Sequence, residues 1–386
     1  MRGLDPEIGW LRAKSGTKWA AAGDGVLPAW IADMDFATPP VVREALNGLV
    51  DAGDLGYPSW LHDGSPLREE FAARMARRHG WAPDPAYVRE FSDIIQALQA
   101  VLYVATRPGD AVAMHVPAYP PFLATLTDME RPLVPIPLRR DDADGWSFDA
   151  EAFARDAAER NVRALVLVNP QNPTGRVFTR AELTALADAA HRHDLLVISD
   201  EIHADLTYEP HRHIPFASLS EDAAARTVTL TSATKAFNLA GIRCAVAHVG
   251  SRRVRDGLAG CPPFLFGDAN VPGVVATRAA WRGGDDWLWA VRDRLDANRA
   301  LLAEALSPAG IVVDPPQATY LAWLDCRRLG LDGDPAAFFL DKAKVKLSPG
   351  PDFGPHGAGF ARLNFATSER LLRELCARLT GSLSAR

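Results

Sequence analysis

Lys235 stands in Thr231-Ser232-Ala233-Thr234-Lys235, among small hydroxyl residues and directly after the apolar, β-rich run Thr227–Ser232. A lysine just past a buried strand is desolvated, which lowers its proton affinity and makes the free amine a nucleophile toward an aldehyde. Upstream, Leu195-Leu196-Val197-Ile198-Ser199-Asp200-Glu201 is an apolar strand that ends in two acids. A carboxylate there is costly unless it meets a cation, and a protonated ring nitrogen on a bound molecule is one such cation. Further upstream, Asn169-Pro170-Gln171-Asn172-Pro173-Thr174-Gly175 follows another apolar run. Its Asn-Pro steps and its glycine force an irregular turn that can aim the Asn172 amide into a cleft. Ser232, Thr234 and Arg243 supply donors and charge suited to a phosphate. Downstream, Arg362 lies on the apolar strand Gly359–Phe365, where a carboxylate is the natural bidentate partner of a guanidinium. Taken singly, each residue has a plainer reading: an ordinary turn at Asn172, a helix-capping or solvated acid at Asp200 and Glu201, a solvated lysine, an internal salt bridge at Arg362.

The elements that must position these residues form a regular series. Ala111–Val116, Ala164–Asn169, Leu195–Asp200, Thr227–Ser232 and Ala245–Gly250 are short, β-rich and bounded by turn residues, which predicts buried strands. Helical patterns lie between them. Thr179-Arg180-Ala181-Glu182 is a capping box that opens a helix running to about His193. A second helix spans about Gln96–Arg107 and is stopped by Pro108-Gly109. Alternating strands and helices predict an α/β fold with a mostly parallel sheet covered on both faces. Ligands in such sheets sit beyond the carboxyl ends of the strands, where Asn172, Asp200 and Lys235 fall. The C-terminal third differs, with a long helix Trp287–Leu306, strands Thr319–Leu324 and Phe360–Phe365, and a final helix from Ser368. The expected division is a large domain at 46–275 and a smaller α+β domain at 276–386, against which the N-terminal segment 1–45 packs.

Composition narrows the function classes. With 48% hydrophobic and 23% charged residues the chain is an ordinary globular protein, so disorder does not dominate. A formal net charge of −6 argues against nucleic acid or an anionic membrane as the main partner. No long uncharged apolar run occurs, and the opening MRGLDPEIGW lacks the apolar region of a signal peptide, so a cytoplasmic location is expected. Cys244, Cys261, Cys326 and Cys376 form no CxxC pair and read as free thiols. The histidine pairs at 191/193 and 211/213 lack supporting ligands, and no metal site is expected.

In order and spacing these segments resemble the fold type I pyridoxal-phosphate enzymes of the class I/II aminotransferase superfamily, over nearly the whole chain. The resemblance narrows to the MalY/PatB-type cystathionine β-lyases, which are carbon–sulfur lyases. It rests on Leu27-Pro28-Ala29-Trp30-Ile31-Ala32-Asp33-Met34-Asp35-Phe36, Gly56-Tyr57-Pro58, Pro117-Ala118-Tyr119-Pro120-Pro121-Phe122, Ser199-Asp200-Glu201-Ile202-His203-Ala204-Asp205-Leu206 and Thr234–Gly241. It implies an aspartate-aminotransferase-like fold with a seven-stranded sheet, and pyridoxal 5'-phosphate as cofactor. It further implies that Lys235 carries the cofactor as a Schiff base and then shuttles protons. Asp200 pairs with the ring nitrogen, Asn172 bonds the phenolic oxygen and Tyr119 stacks on the ring. Ser232, Thr234, Arg243 and the amides near Ile94 and Ile95 hold the phosphate, with Tyr57 reaching the neighbouring subunit of a homodimer. Arg362, with Ala32 and Asp33, receives the substrate.

Three departures stand out. Ser92-Asp93 replaces the usual Pro-Gly before the phosphate-cup helix, so Asp93 must point away or the phosphate site is altered. His203 stands where ordinary aminotransferases have a tyrosine, as in the lyase subgroup, and Arg243 is present where several lyases lack an arginine. The expected reaction is β-elimination from an L-cysteine S-conjugate or cystathionine, giving a thiol, pyruvate and ammonia. The same residues serve transamination, which is the runner-up. A specialised decarboxylating or oxidative variant, and a regulator that binds the cofactor without turnover, are further alternatives.

Overall fold

The computed structural model describes residues 3–61, 64–141 and 145–384. A seven-stranded sheet runs in the order Val88–Phe91, Ala245–Val249, Thr227–Thr231, Leu196–Asp200, Val162–Val168, Ala111–Val116, Leu133–Pro137. Ala245–Val249 is antiparallel to both its neighbours, and every other pairing is parallel. The mostly parallel sheet read from the sequence is therefore present.

The central strands are apolar throughout because both faces are covered. Side chains alternate across a strand, so Val166 and Val168 join the cluster packed under the helices Ile94–Ala105 and Arg252–Ala259. Leu165 and Leu167 join the opposite one, under Ala150–Glu159 and Arg180–Arg192. The Arg180–Arg192 helix starts at the expected capping box, with Thr179 and Glu182 bonding each other's backbone amides. The other predicted helix begins earlier than the sequence suggested, at Ile94, because Asp93 is its N-cap and its Oδ1 accepts from Gln96 N at 2.7 Å.

A second, antiparallel sheet joins Val312–Val313, Leu321–Asp325, Phe360–Asn364 and Ser348–Pro349 in that order. It packs with the helices Asp285–Leu306 and Glu369–Ser384 into a large cluster that also takes in Leu27, Met34 and Phe36. Leu27–Pro28 pairs in parallel with Val345–Lys346, which fixes the N-terminal segment against the C-terminal part of the chain. The following turn, Ala29–Phe36, crosses back toward the large sheet: Asn364 Nδ2 donates to Ile31 O and Asp33 O, while Asn238 Nδ2 holds Met34 O and Phe36 O.

Candidate active site

The carboxyl ends of the parallel strands converge on one cavity. Asp200 is the last residue of its strand, Asn172 sits in the turn after Val162–Val168, and Lys235 lies on the short helix Ala233–Ala236 after Thr227–Thr231. All three line the cavity, together with Ala32, Asp93, Ile94, Ile95, Tyr119, His203, Ser232, Thr234 and Arg243. Segments far apart in sequence thus meet as the spacing predicted.

Electrostatics distinguish the cavity from ordinary core. Lys235 is half-buried, desolvation of its amine lowers its proton affinity, and Nζ donates to Ala32 O at 2.9 Å. Asp200 accepts from Ile202 N at 3.0 Å, and burial pushes its carboxyl up to about 7. No cation pairs with Asp200 among the described residues, so the site lacks the partner that would keep this acid ionised. His203 is pushed down to about 3 by burial, with Lys235 and Arg362 adding to the effect, and its Nδ1 has no partner among the described residues. It is a neutral imidazole.

Arg362 settles one alternative. No carboxylate meets it among the described residues; Nη1 donates to Asn172 Oδ1 at 3.1 Å and Nη2 to Trp30 O at 3.0 Å, while Nε is buried without a partner. Burial lowers its proton affinity to about 10. A buried guanidinium donor left unmatched costs about 1–3 kcal/mol, so the internal salt bridge gives way to a position suited to an incoming carboxylate.

Asn172 owes its aim to the turn around it. Gln171 Nε2 bonds Pro117 O at 2.7 Å, and Gly175 closes the turn at φ +71°, where an added Cβ would stand 2.4 Å from Pro316 Cβ. Tyr119 caps the helix Pro120–Asp128, which sets its ring at the cavity wall. Ser232 Oγ donates to Cys244 O at 2.5 Å and accepts from Thr234 N at 3.1 Å. The amides of Ile94 and Ile95, in the first turn of their helix, have no intrahelical acceptor.

Several sequence expectations land elsewhere. Asp93 does not point away: its carboxylate pairs with Arg243, so the guanidinium expected on a phosphate rests on an acid of the chain itself. Asp33 lines a neighbouring cavity with Trp10 and Lys14, although its charge still acts on Lys235. Tyr57 is 94% exposed in a surface groove with Trp60 and Arg68, away from the central cavity. One residue the sequence reading passed over is Tyr320, fully buried, whose hydroxyl donates to Ala32 O at 2.9 Å, the same carbonyl that holds Lys235. No local signal marks it, since the partners are 288 positions apart.

The donor set fits pyridoxal 5'-phosphate: a desolvated amine for the aldehyde, an acid lacking its cation for the ring nitrogen, and hydroxyls with free helix amides for the phosphate. Comparison with known proteins agrees with this geometry. Residues 31–379 match the aminotransferase class I and II family. The chain is 34% identical to cystathionine beta-lyase PatB of Bacillus subtilis over 95% of its own length and 96% of the relative's. It is 31% identical to a cystathionine beta-lyase of Corynebacterium glutamicum, over 98% and 99% of the two chains. The solved structure of cystalysin from Treponema denticola, which contains a pyridoxal 5'-phosphate cofactor, superposes with a TM-score of 0.93 at 27% identity, covering 100% of this chain and 99% of that one. The chain belongs to the class I and II aminotransferase family.

Proposed function

We propose that this protein is a pyridoxal-phosphate-dependent carbon–sulfur β-lyase that cleaves an L-cysteine S-conjugate or cystathionine to a thiol, pyruvate and ammonia. The observation that carries the reading is the cavity lined by a desolvated lysine amine and an acid without its cation, with a guanidinium without its carboxylate bonded to Asn172 behind its wall. Each lacks a complement that the bound cofactor or an amino acid supplies.

When bound, the cofactor supplies an electron sink that makes the substrate's Cα–H bond acidic. Asp200 would hold its ring nitrogen, Asn172 its phenolic oxygen, and Tyr119 would lie against its ring. Ser232, Thr234 and the Ile94 and Ile95 amides would hold its phosphate, with Arg243 supplying positive charge on the same cavity wall. Arg362 would bind the α-carboxylate through its guanidinium fork, next to the Trp30 carbonyl, and so help to orient the amino acid for proton removal by Lys235. Burial keeps the Lys235 amine a competent base for that proton, and Ala32 O is the acceptor that holds the amine in place when it is free. His203, neutral beside the site, places no charge near the phenolic oxygen.

These residues serve elimination and transamination alike, and the cystathionine β-lyase names of the relatives favour elimination. We also read the protein as a cytoplasmic homodimer in which Tyr57 reaches the partner's site. In this reading the chain divides into a large domain at 46–275 and a small one at 276–386, against which the segment 1–45 packs. Among the described residues no helix is long and apolar enough to cross a membrane. Incubation with cystathionine on one side, and with alanine plus 2-oxoglutarate on the other, tests the reading. Pyruvate with free thiol is expected; glutamate without thiol replaces the lyase with an aminotransferase.

A further inference from the structure

We propose that Asp93 is a built-in rival of the cofactor's phosphate for Arg243, so that this chain binds its cofactor by exchanging one anion for another and holds it more loosely than the rest of the cup would allow. The proposal rests on the cofactor reading above and concerns residues that differ from the pattern the family resemblance led one to expect.

The Asp93 carboxylate is fixed on both oxygens. Oδ1 accepts from Gln96 N at 2.7 Å as the N-cap of the helix Ile94–Ala105, and Oδ2 is paired with Arg243. Gln96 returns the bond, its Oε1 accepting from Ser92 N at 2.8 Å, and its Nε2 donates to Phe266 O at 2.6 Å. Asp93 therefore cannot turn out of the cavity without opening this clamp. Arg243 is anchored from the other side, in the left-handed conformation at φ +56°, with its carbonyl accepting from Asn270 Nδ2 at 3.2 Å. Both side chains line the same cavity as Ile94, Ile95, Ser232 and Thr234. The positive end of the helix, which in this architecture attracts a phosphate, already faces a carboxylate. A phosphate dianion arriving there meets a like charge at close range, and gains Arg243 only if Arg243 leaves Asp93.

Asp93→Asn isolates the charge, because asparagine caps a helix as well as aspartate does. The readout is the dissociation constant for pyridoxal 5'-phosphate, from equilibrium dialysis of the full-length protein against graded cofactor. Pyridoxal, which lacks the phosphate, is the second probe. Asp93→Asn is expected to bind the phosphate form at least tenfold more tightly and pyridoxal unchanged. Arg243→Ala should weaken the phosphate form, and in the double variant most of the Asp93→Asn gain should vanish. Equal or weaker binding by Asp93→Asn overturns the proposal, since Asp93 would then orient Arg243 toward the phosphate rather than compete for it. Equal tightening toward pyridoxal overturns it too, because the effect would not lie at the phosphate. A wild-type protein that binds neither probe is a different failure: it removes the proposed function itself.

Discussion

Asp200 is the residue whose chemistry is most exposed to test without any substrate. In the cofactor-free chain, burial raises its carboxyl from an ordinary 3.8 to about 7. The folded state therefore keeps the proton to higher pH than the unfolded chain does. The stability this contributes is present in full below about pH 4 and is lost as pH rises through 7. Asparagine cannot lose that proton and can still accept the Ile202 amide. Asp200→Asn in the cofactor-free protein should thus become more stable relative to wild type as pH goes from 5 to 8. Melting temperatures at the two pH values check this, and a difference between the proteins that does not widen contradicts the desolvated carboxyl. Bound cofactor, by placing a cation opposite Asp200, should remove most of the trend in the wild type. Lys235 and Asp200 were legible in the sequence for one physical reason: an ionisable residue closing an apolar strand must find a complement. Tyr320, and the pairing of Asp93 with Arg243, were not. Their partners lie 288 and 150 positions away, and only the folded chain brings them together.

At the scale of elements, legibility followed burial. Ala111–Val116 was read with its observed ends, and the other internal strands to within one or two residues, because a strand covered on both faces is an unbroken apolar run. Val88–Phe91 and Leu133–Pro137 at the two sheet edges were not read. The first carries Arg89 and Glu90 and the second two prolines, both of which an edge tolerates and a central strand does not. The turn 169–175 shows how an element aims a site residue from a distance. Gly175 N donates to Gln171 O at 2.8 Å, and Gly175 O accepts from Ala318 N at 2.9 Å, so the turn is clamped to the C-terminal part of the chain. Gly175→Ala adds a Cβ that must stand 2.4 Å from Pro316 Cβ, at a φ of +71° that side chains resist. Loss of at least about 1 kcal/mol of stability is expected from the backbone alone, measured by urea unfolding. The amino-acid Michaelis constant should rise with it, because Asn172 holds Arg362. A variant as stable as wild type, with unchanged binding, would mean that the turn does not position the site.

At the scale of the whole molecule, one family-derived role finds no place within a single chain. Tyr57 is almost wholly exposed, in a groove outside the cavity that holds Lys235. Near it in character, Leu55, Phe264 and Leu265 also present large apolar side chains to solvent. Exposed apolar side chains of this size suit contact with another surface, and the proposed second copy of the chain would be the partner that gives Tyr57 a function. The assembly should sediment with twice the 41.8 kDa of one chain. A stricter test uses two defective proteins, Lys235→Ala and Tyr57→Ala, each expressed alone and then together. If Tyr57 serves its own subunit, every mixed dimer holds one site without the lysine and one without the tyrosine, and activity stays at the level of the parents. If it serves the partner, both defects fall on the same site and the other site is whole. Co-expression should then recover lyase activity well above either parent, and mixed dimers that recover none would return Tyr57 to its own chain.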